Sequence, residues 1–390
     1  MIIYPITFIL SSLFFYLGEN FKKNKKTYMF IGIAIPILIA TIRAESVGID
    51  VLTYMKPLYL CSKGADSLTD FFHDLKSTPA LEYLDYGYAL IGYFATKIFH
   101  GLWGIFLVNA ILCIVPVYLG LKYFNNYFKK INYPQIPIWL GMLTYLVIFY
   151  NNSLNQVRQI IVCGLLFLAV SLLLNKKIFV PILLFLFCLT IHISALIFLI
   201  FLMIIFISWK QNKILNYISF IFLIAFFFFG RQIFYLVMYI LQNLKIIPDK
   251  YLGEIFNVEY LTFDLNITWF IISLALLFVM GLRLYIYKKT KYNVGEKFPF
   301  IDFMLFFISL CFFSLFPFAS YFISFGRLQL YFFIYAVLII PMIPFFFKTK
   351  IPLDNQINLL PVVLLLLFYW VVGVGLTDFT GTLNYLFFWQ

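Results

Sequence analysis

Charge is scarce in this chain. Only 11% of its 390 residues are Asp, Glu, Lys or Arg, against 64% hydrophobic, and the mean hydropathy is +0.99. A soluble domain carries about 25% charged residues. The apolar excess is too large for one buried core, so lipid must solvate much of the surface. Short alternating strands, the mark of an outer-membrane barrel, are missing. Cysteine is thin as well. Cys113, Cys163, Cys188 and Cys311 fall in apolar runs and Cys61 in a polar stretch, none at redox or metal spacing, so no disulfide is expected. His73, His100 and His192 form no H-x-x-x-H or H-E-x-x-H pair, which argues against a zinc site, and no metal is expected. A phosphate-cradling G-x-x-x-x-G-K-[ST] loop, a G-x-S-x-G elbow and the Asp-x-Asp ligand of nucleotide-sugar metals are all lacking. Those absences argue against ATP hydrolysis, a serine hydrolase and a nucleotide-sugar transferase. Residues 1–18 have neither a basic start nor a small-residue cleavage site, so the first helix is expected to stay as an anchor.

What is present is a series of apolar stretches near ~20 residues, each long enough to cross a ~30 Å hydrocarbon layer as a helix. They predict helices near 2–18, 28–42, 103–121, 135–150, 156–174, 178–191, 194–209, 214–229, 268–286, 300–316, 327–347 and 357–376. The expected fold is an all-α polytopic membrane protein of about 12 transmembrane helices, one membrane domain over 1–390. Its largest non-membrane parts are expected at 43–83 and 230–267. Alternate threading puts Lys22–Lys26, Lys122–Lys130, Lys176–Lys177, Lys210–Lys213, Arg283–Lys297 and Lys348–Lys350 on one side. That side holds only Glu19, Glu296, Asp302 and Asp354 among the acids, and the positive-inside rule makes it cytoplasmic. The net charge of +12 therefore reports topology, with no need to invoke nucleic acid. Residues 84–100 are apolar enough to enter the membrane, yet a full crossing would turn the later lysine clusters outward. A re-entrant or interfacial helix fits better there.

Polar residues in or beside apolar helices are costly and mark candidate sites. Four clusters stand out, all on the outer side. The first is Arg43, Glu45, Gly48, Asp50 and Tyr54, which could bind a phosphate and position a hydroxyl; a structural Arg43–Asp50 pair with a turn at Gly48 would explain it equally. The second is the run 151–159, where Asn151, Asn155 and Arg158 share a helical face by i, i+4, i+7 spacing and Gln159 sits beside them. Helix capping accounts for the asparagines but not for the guanidinium. In the third, His192 with Ser194, a neutral buried histidine is the ordinary explanation, and an acid–base or phosphate-contacting role stays open. The fourth is Ser320, Ser324, Arg327 and Tyr331, a polar stripe down an aromatic-rich helix, or else an arginine snorkelling to headgroups.

Three arginines with aromatics and carboxylates suit a lipid-linked pyrophosphate carrying a sugar chain. Guanidinium groups grip phosphate oxygens and stabilise the charge of a departing diphosphate. Tyr54, Tyr83, Tyr86 and Tyr88 are available to stack on sugar faces. The activated glycosyl–diphosphate bond carries its own driving force, so no cofactor is expected.

In order along the chain, R43-x-x-x-x-G-x-D50-x-x-x-Y54, N155-x-x-R158-Q159, H192-x-S194-A195 and R327-x-x-x-Y331 with Pro341 following resemble the EpsG family. Those are Wzy-like polymerases of bacterial exopolysaccharide, capsule and O-antigen (lipopolysaccharide). The likeness covers about residues 29–345. Ile49 replaces the usual small polar residue before the aspartate, and Tyr86-Gly87-Tyr88 echoes a Pro-Gly-Tyr/Phe element loosely. The resemblance implies a multi-pass GT-C-like glycosyltransferase that joins undecaprenyl-pyrophosphate-linked repeat units on the outer face of the bacterial inner membrane. It implies pyrophosphate and sugar binding by Arg158 and Arg327, with Arg43, Tyr54, Asn155, Gln159 and Tyr331 assisting. Asp50 is the first choice of general base and His192 the second, acting by direct displacement. Residues 231–267, with Phe234, Tyr235, Met238 and Tyr239 along one side, suit a lid. Membrane lipid and a chain-length regulator protein are the expected partners.

Three rivals carry weight. A lipid-linked oligosaccharide flippase needs charged residues along a cavity through the membrane, whereas here they gather at one side. An O-antigen ligase uses the same donor and differs only in acceptor. A membrane acyltransferase lacks a second histidine or an aspartate near His192.

Overall fold

The computed structural model describes residues 2–243, 267–291, 299–319, 323–346, 359–375 and 381–389. Among them helix is the dominant structure, with turns and irregular links between helices and no strand beyond a single isolated bridge between Arg43 and Phe387. Five helices are long and apolar enough to cross a membrane, or up to six if one bent pair counts as a single span. The protein is thus polytopic and all-α. The described residues cluster into two compact units, Met1–Leu196 with Ile340–Gln390, and Ile197–Ile339.

The first unit contains α1 (Ile3–Asn20), α2 (Lys25–Thr41), α3 (Lys56–Gly64), α4 (Leu68–Ser77), α5 (Tyr86–Phe99), α6 (Leu102–Lys130), α7 (Ile138–Asn155), α8 (Val157–Leu174) and α9 (Phe179–Ile191). In lipid every backbone polar group needs an internal partner, and prolines inside helices test that rule. Pro36 in α2 has no N–H to give the Gly32 carbonyl, and Ser11 Oγ of α1 donates to that oxygen at 2.6 Å instead. Beside Pro116 in α6, Tyr145 Oη of α7 donates to the Cys113 carbonyl at 2.8 Å. The lysine-rich end is closed differently. Glu19 at the foot of α1 accepts from the N–H groups of Ile138 (2.8 Å) and Trp139 (3.2 Å), neutralising the exposed first turn of α7.

The segment 84–100 forms α5, only 14 residues and so about 21 Å long. It runs antiparallel to the first turns of α6, with Tyr88 level with Asn109 and Phe99 packed on Gly104. It therefore covers the start of α6 and not its length. The stretch 43–83, expected from sequence as a non-membrane part, holds a π-turn (Val51–Met55), α3 and α4. A reciprocal Ser67–Asp70 capping box starts α4.

The second unit contains α10 (Phe198–Lys210), α11 (Lys213–Asn243), α12 (Ile267–Lys291), α13 (Phe300–Ser314), α14 (Phe316–Ala319), α15 (Ile323–Phe333) and the start of α16 (Ala336–Phe346). Asp302 is fully buried and ion-paired with Arg283 at 3.2 Å, which joins α12 to α13. Two expectations change here. The helix expected to stop at 229 runs unbroken to Asn243, because its apolar character continues past Gly230. The helix expected over 327–347 is broken into α15 and α16, bent by 40°, where Tyr335 and Val337 N–H groups reach back only three residues to Phe332 and Ile334. The chain ends with α17 (Leu360–Trp370), a π-turn (Val371–Gly375) and an extended segment over 381–389 in the first unit.

Candidate active site

The site builds outward from the end of α2. There the chain turns back along the C-terminal segment: the Ala44 N–H donates to Leu386 O (2.8 Å), the Phe388 N–H to Ile42 O (3.0 Å), and the Gly48 N–H to Gly381 O (3.2 Å). Clamped this way, Arg43 points inward and is 2% exposed. Its guanidinium lies 4.2 Å from the Phe106 ring centroid of α6. Among the described residues its guanidinium makes one hydrogen bond, a long contact from Nη1 to Ala40 O (3.4 Å), and Nε and Nη2 meet no acceptor. Tyr4, Tyr88, Tyr150 and Tyr385 are its phenol neighbours, and burial holds its pKa below the ordinary guanidinium value. The alternative Arg43–Asp50 pair is not formed. Glu45 is also elsewhere, paired with Lys56 at 2.6 Å.

Gly48 adopts φ +95°, and a Cβ there would sit 2.5 Å from Leu154 O, so the loop lies flat on the end of α7. The next turn brings the Asp50 N–H to Asn155 Oδ1 at 3.2 Å. The Tyr54 hydroxyl donates to Asp50 Oδ2. Tyr54 is itself buried, and its phenol pKa is pushed well up by that burial first, then by Tyr88 and Asp50. Arg158 lies over the Tyr54 ring, 4.8 Å from its centroid. Its Nη1 donates to Asp85 Oδ2 at 3.0 Å, with Arg158 25% and Asp85 31% exposed. Burial raises the Asp85 pKa above the usual carboxylate value despite the opposing pull of Arg158. Behind them Tyr88 packs edge-on against Tyr54 at 5.8 Å and accepts from Asn109 Nδ2 at 2.9 Å.

The shared helical face expected for Asn151, Asn155 and Arg158 does not form, because the helix breaks at Gln156 (φ −91°, ψ 52°). The break sends the three side chains to different partners. Asn151 donates to Thr382 Oγ1 (2.8 Å) and accepts from Trp370 Nε1 (3.0 Å), Asn155 holds Asp50, and Arg158 holds Asp85. Gln159 is buried at 4%. His192 ends α9 in extended backbone. Its Nδ1 accepts from the Ser194 N–H at 3.2 Å and meets Ser194 Oγ at 2.7 Å, which assigns the ring proton of the neutral form to Nε2. Gly87 makes room for Thr190, so α5 and α9 touch directly beside Asp85. Of the four tyrosines expected to face sugar, Tyr83 and Tyr86 are exposed, whereas Tyr54 and Tyr88 are buried.

Arg327 and Tyr331 stand in the second unit, on α15, with Arg327 exposed and Tyr331 buried at 1%. Ser320 and the side chain of Ser324 lie outside the described residues, as do residues 244–266 and the side chains of Phe234, Tyr235 and Met238 in the expected lid. Tyr239 is exposed. Sequence reasoning missed Asp85, Asn109, Trp370 and Thr382. Asp85 left a faint signal, an acid directly before an apolar helix start; the C-terminal contacts left none.

Within the first unit, then, one end of the helices carries lysines and the other gathers Arg43, Asp50, Tyr54, Asp85, Asn155 and Arg158. This is a polytopic, all-helical membrane protein with a polar cluster at one end of its helices. The EpsG family's sequence pattern matches residues 26–387, nearly the whole length, and the chain belongs to the EpsG family. No curated protein and no solved structure matches it.

Proposed function

We propose that the chain is a Wzy-like polysaccharide polymerase. It joins undecaprenyl-pyrophosphate-linked oligosaccharide repeat units on the outer face of the bacterial inner membrane, in O-antigen, capsule or exopolysaccharide synthesis. EpsG family membership supports the polymerase role. The observation that carries the reading is the meeting of Arg158, Asp85, Tyr54 and Asp50, drawn from three separate segments onto one spot. A guanidinium about a quarter exposed is suited to a diphosphate, and carboxylates beside it are suited to an acceptor hydroxyl.

Arg158 binds the diphosphate, with Arg327 as the second grip. Arg43, whose Nε and Nη2 meet no acceptor among the described residues, fits an anion as an auxiliary. Asn155 and Gln159 shape the floor, and Tyr54 and Tyr331 line the path of the sugar chain. Asp50 holds Tyr54, and His192 closes the α9 side. About 12 crossings, a GT-C-like architecture, an outward-facing site and a chain-length regulator as partner belong to the same proposal. Polar residues gathered at one end favour chemistry there over a flippase, which needs them along the whole path.

The test is the surface polysaccharide of cells lacking the chain, run on a gel beside cells carrying it. A lost ladder with the one-repeat band retained is expected. Loss of that band too points to a flippase or ligase, and an unchanged ladder overturns the function.

A further inference from the structure

Three groups in the first unit could take a proton from an acceptor sugar: Asp50, His192 and Asp85. Asp50 already accepts from the Tyr54 hydroxyl, and its own N–H is held by Asn155. A carboxylate that receives a phenol hydrogen bond is stabilised as the anion and is a weaker base for it. His192 has its Nδ1 filled by the Ser194 N–H and hydroxyl, so the ring proton of the neutral form sits on Nε2, a donor where a base needs a lone pair.

Asp85 differs from both. Its carboxylate is bonded to Arg158, the group best placed to grip a diphosphate, and 31% of the side chain is open. It sits at the N-terminal end of α5, a short helix held against α6 by the Asn109–Tyr88 bond and against α9 at Gly87. The carboxylate is therefore carried on a fixed element and not on a loose loop. Burial already raises its proton affinity, and losing Arg158 to another anion would raise it further.

We infer that Asp85 is the general base of the glycosyl transfer, and that its ion pair with Arg158 is the closed state of the empty site. The inference rests on the polymerase reading above. When the donor enters, Arg158 exchanges Asp85 for a diphosphate oxygen and the carboxylate is released toward the acceptor. The acceptor hydroxyl proton then passes to Asp85 Oδ2 as its oxygen bonds to the donor's anomeric carbon. The bond from that carbon to the diphosphate oxygen breaks, and its electron pair leaves with the lipid diphosphate, whose charge Arg158 holds. Asp85 returns the proton to water and pairs again with Arg158. One guanidinium thus couples donor binding to activation of the acceptor, which keeps the base masked until there is something to transfer.

The test uses the full chain purified into lipid nanodiscs. The probe is the lipid-linked repeat unit extracted from cells lacking the chain. Asp85→Asn keeps an oxygen for Arg158 but cannot take a proton. It is expected to bind the probe as the unaltered chain does and to join units about 100-fold or more slower. Asp85→Glu is expected to recover part of that rate. A rate for Asp85→Asn within a few-fold of the unaltered chain overturns the assignment. So does loss of probe binding together with rate, which would make the pair a structural latch alone. An unaltered chain that binds the probe and never joins it defeats the polymerase reading, and this inference with it.

Discussion

Arg43→Met is the substitution whose two effects the structure forces in opposite directions. Arg43 is buried, and its Nε and Nη2 meet no acceptor among the described residues. Each unsatisfied buried donor costs about 1–3 kcal/mol. Against that stands the Phe106 ring at 4.2 Å, a cation–π contact of up to about 2 kcal/mol, while the 3.4 Å bond to Ala40 O adds little. Two such donors together cost about 2–6 kcal/mol, so a ring contact worth its full ~2 kcal/mol leaves a net cost of about 0–4 kcal/mol in the ligand-free protein. Methionine has a similar reach, keeps contact with Phe106 and leaves no donor stranded. The variant should therefore melt several degrees higher, read by thermal aggregation of the purified protein in detergent. If the guanidinium serves a phosphate, the same variant loses a charge-assisted contact of about 1.5–3 kcal/mol and chain growth drops roughly 10- to 150-fold. Stability gained with function lost is the signature of a strained functional group. A variant that melts lower and still builds a full ladder refutes the reasoning on both counts.

Gly48→Ala should lose chain growth and melt lower by about 2–5 kcal/mol, from a backbone hand that disfavours side chains and a Cβ forced against Leu154 O. Gly64→Ala, with nothing within 4 Å of its new methyl, is the matched control and should be neutral or stabilising by up to about 1 kcal/mol. Arg158→Ala should abolish the ladder without lowering the amount of protein in the membrane; retained growth removes Arg158 from the site. Asn151→Leu breaks the bonds to Thr382 and Trp370, so a protease should reach a C-terminal tag faster, and unchanged cleavage would show that these bonds do not hold the segment.

Helix positions were legible because lipid imposes a crude rule on composition. Most of the predicted helices lie within a few residues of α1, α2, α6–α10, α12, α13 and α17. The rule fails where apolarity and helix ends part company. Gly230, Arg231 and Gln232 read as a helix end, although the apolar run resumes at Ile233 and α11 continues to Asn243, and nothing around 334 announces the bend. It also fails in the polar stretch 43–83, where hydropathy is silent and the true signals are local: Ser67 with Asp70 for a capping box, Pro57 at the start of α3. The 84–100 helix was placed by charge bookkeeping alone. The structure gives it a reason, a short helix laid on the first turns of α6.

The arginines were legible for the same physical reason that makes them useful, since a guanidinium beside an apolar helix is costly unless it is paired or reaches the headgroups. That reasoning ranks residues by the cost of placing them and says nothing about what relieves the cost, so Asp85 went unnoticed while its partner stood out. The pairing also decides how the site can work. An ion pair about a quarter exposed is screened, and contributes on the order of 1 kcal/mol. A charge-assisted bond to a phosphate is worth about 1.5–3 kcal/mol. Exchange of Asp85 for a diphosphate at Arg158 therefore runs downhill without any outside drive. Arg43, the auxiliary, has no carboxylate to give up and gains its whole contact instead, so its loss should weaken donor binding and leave the timing of the base unchanged.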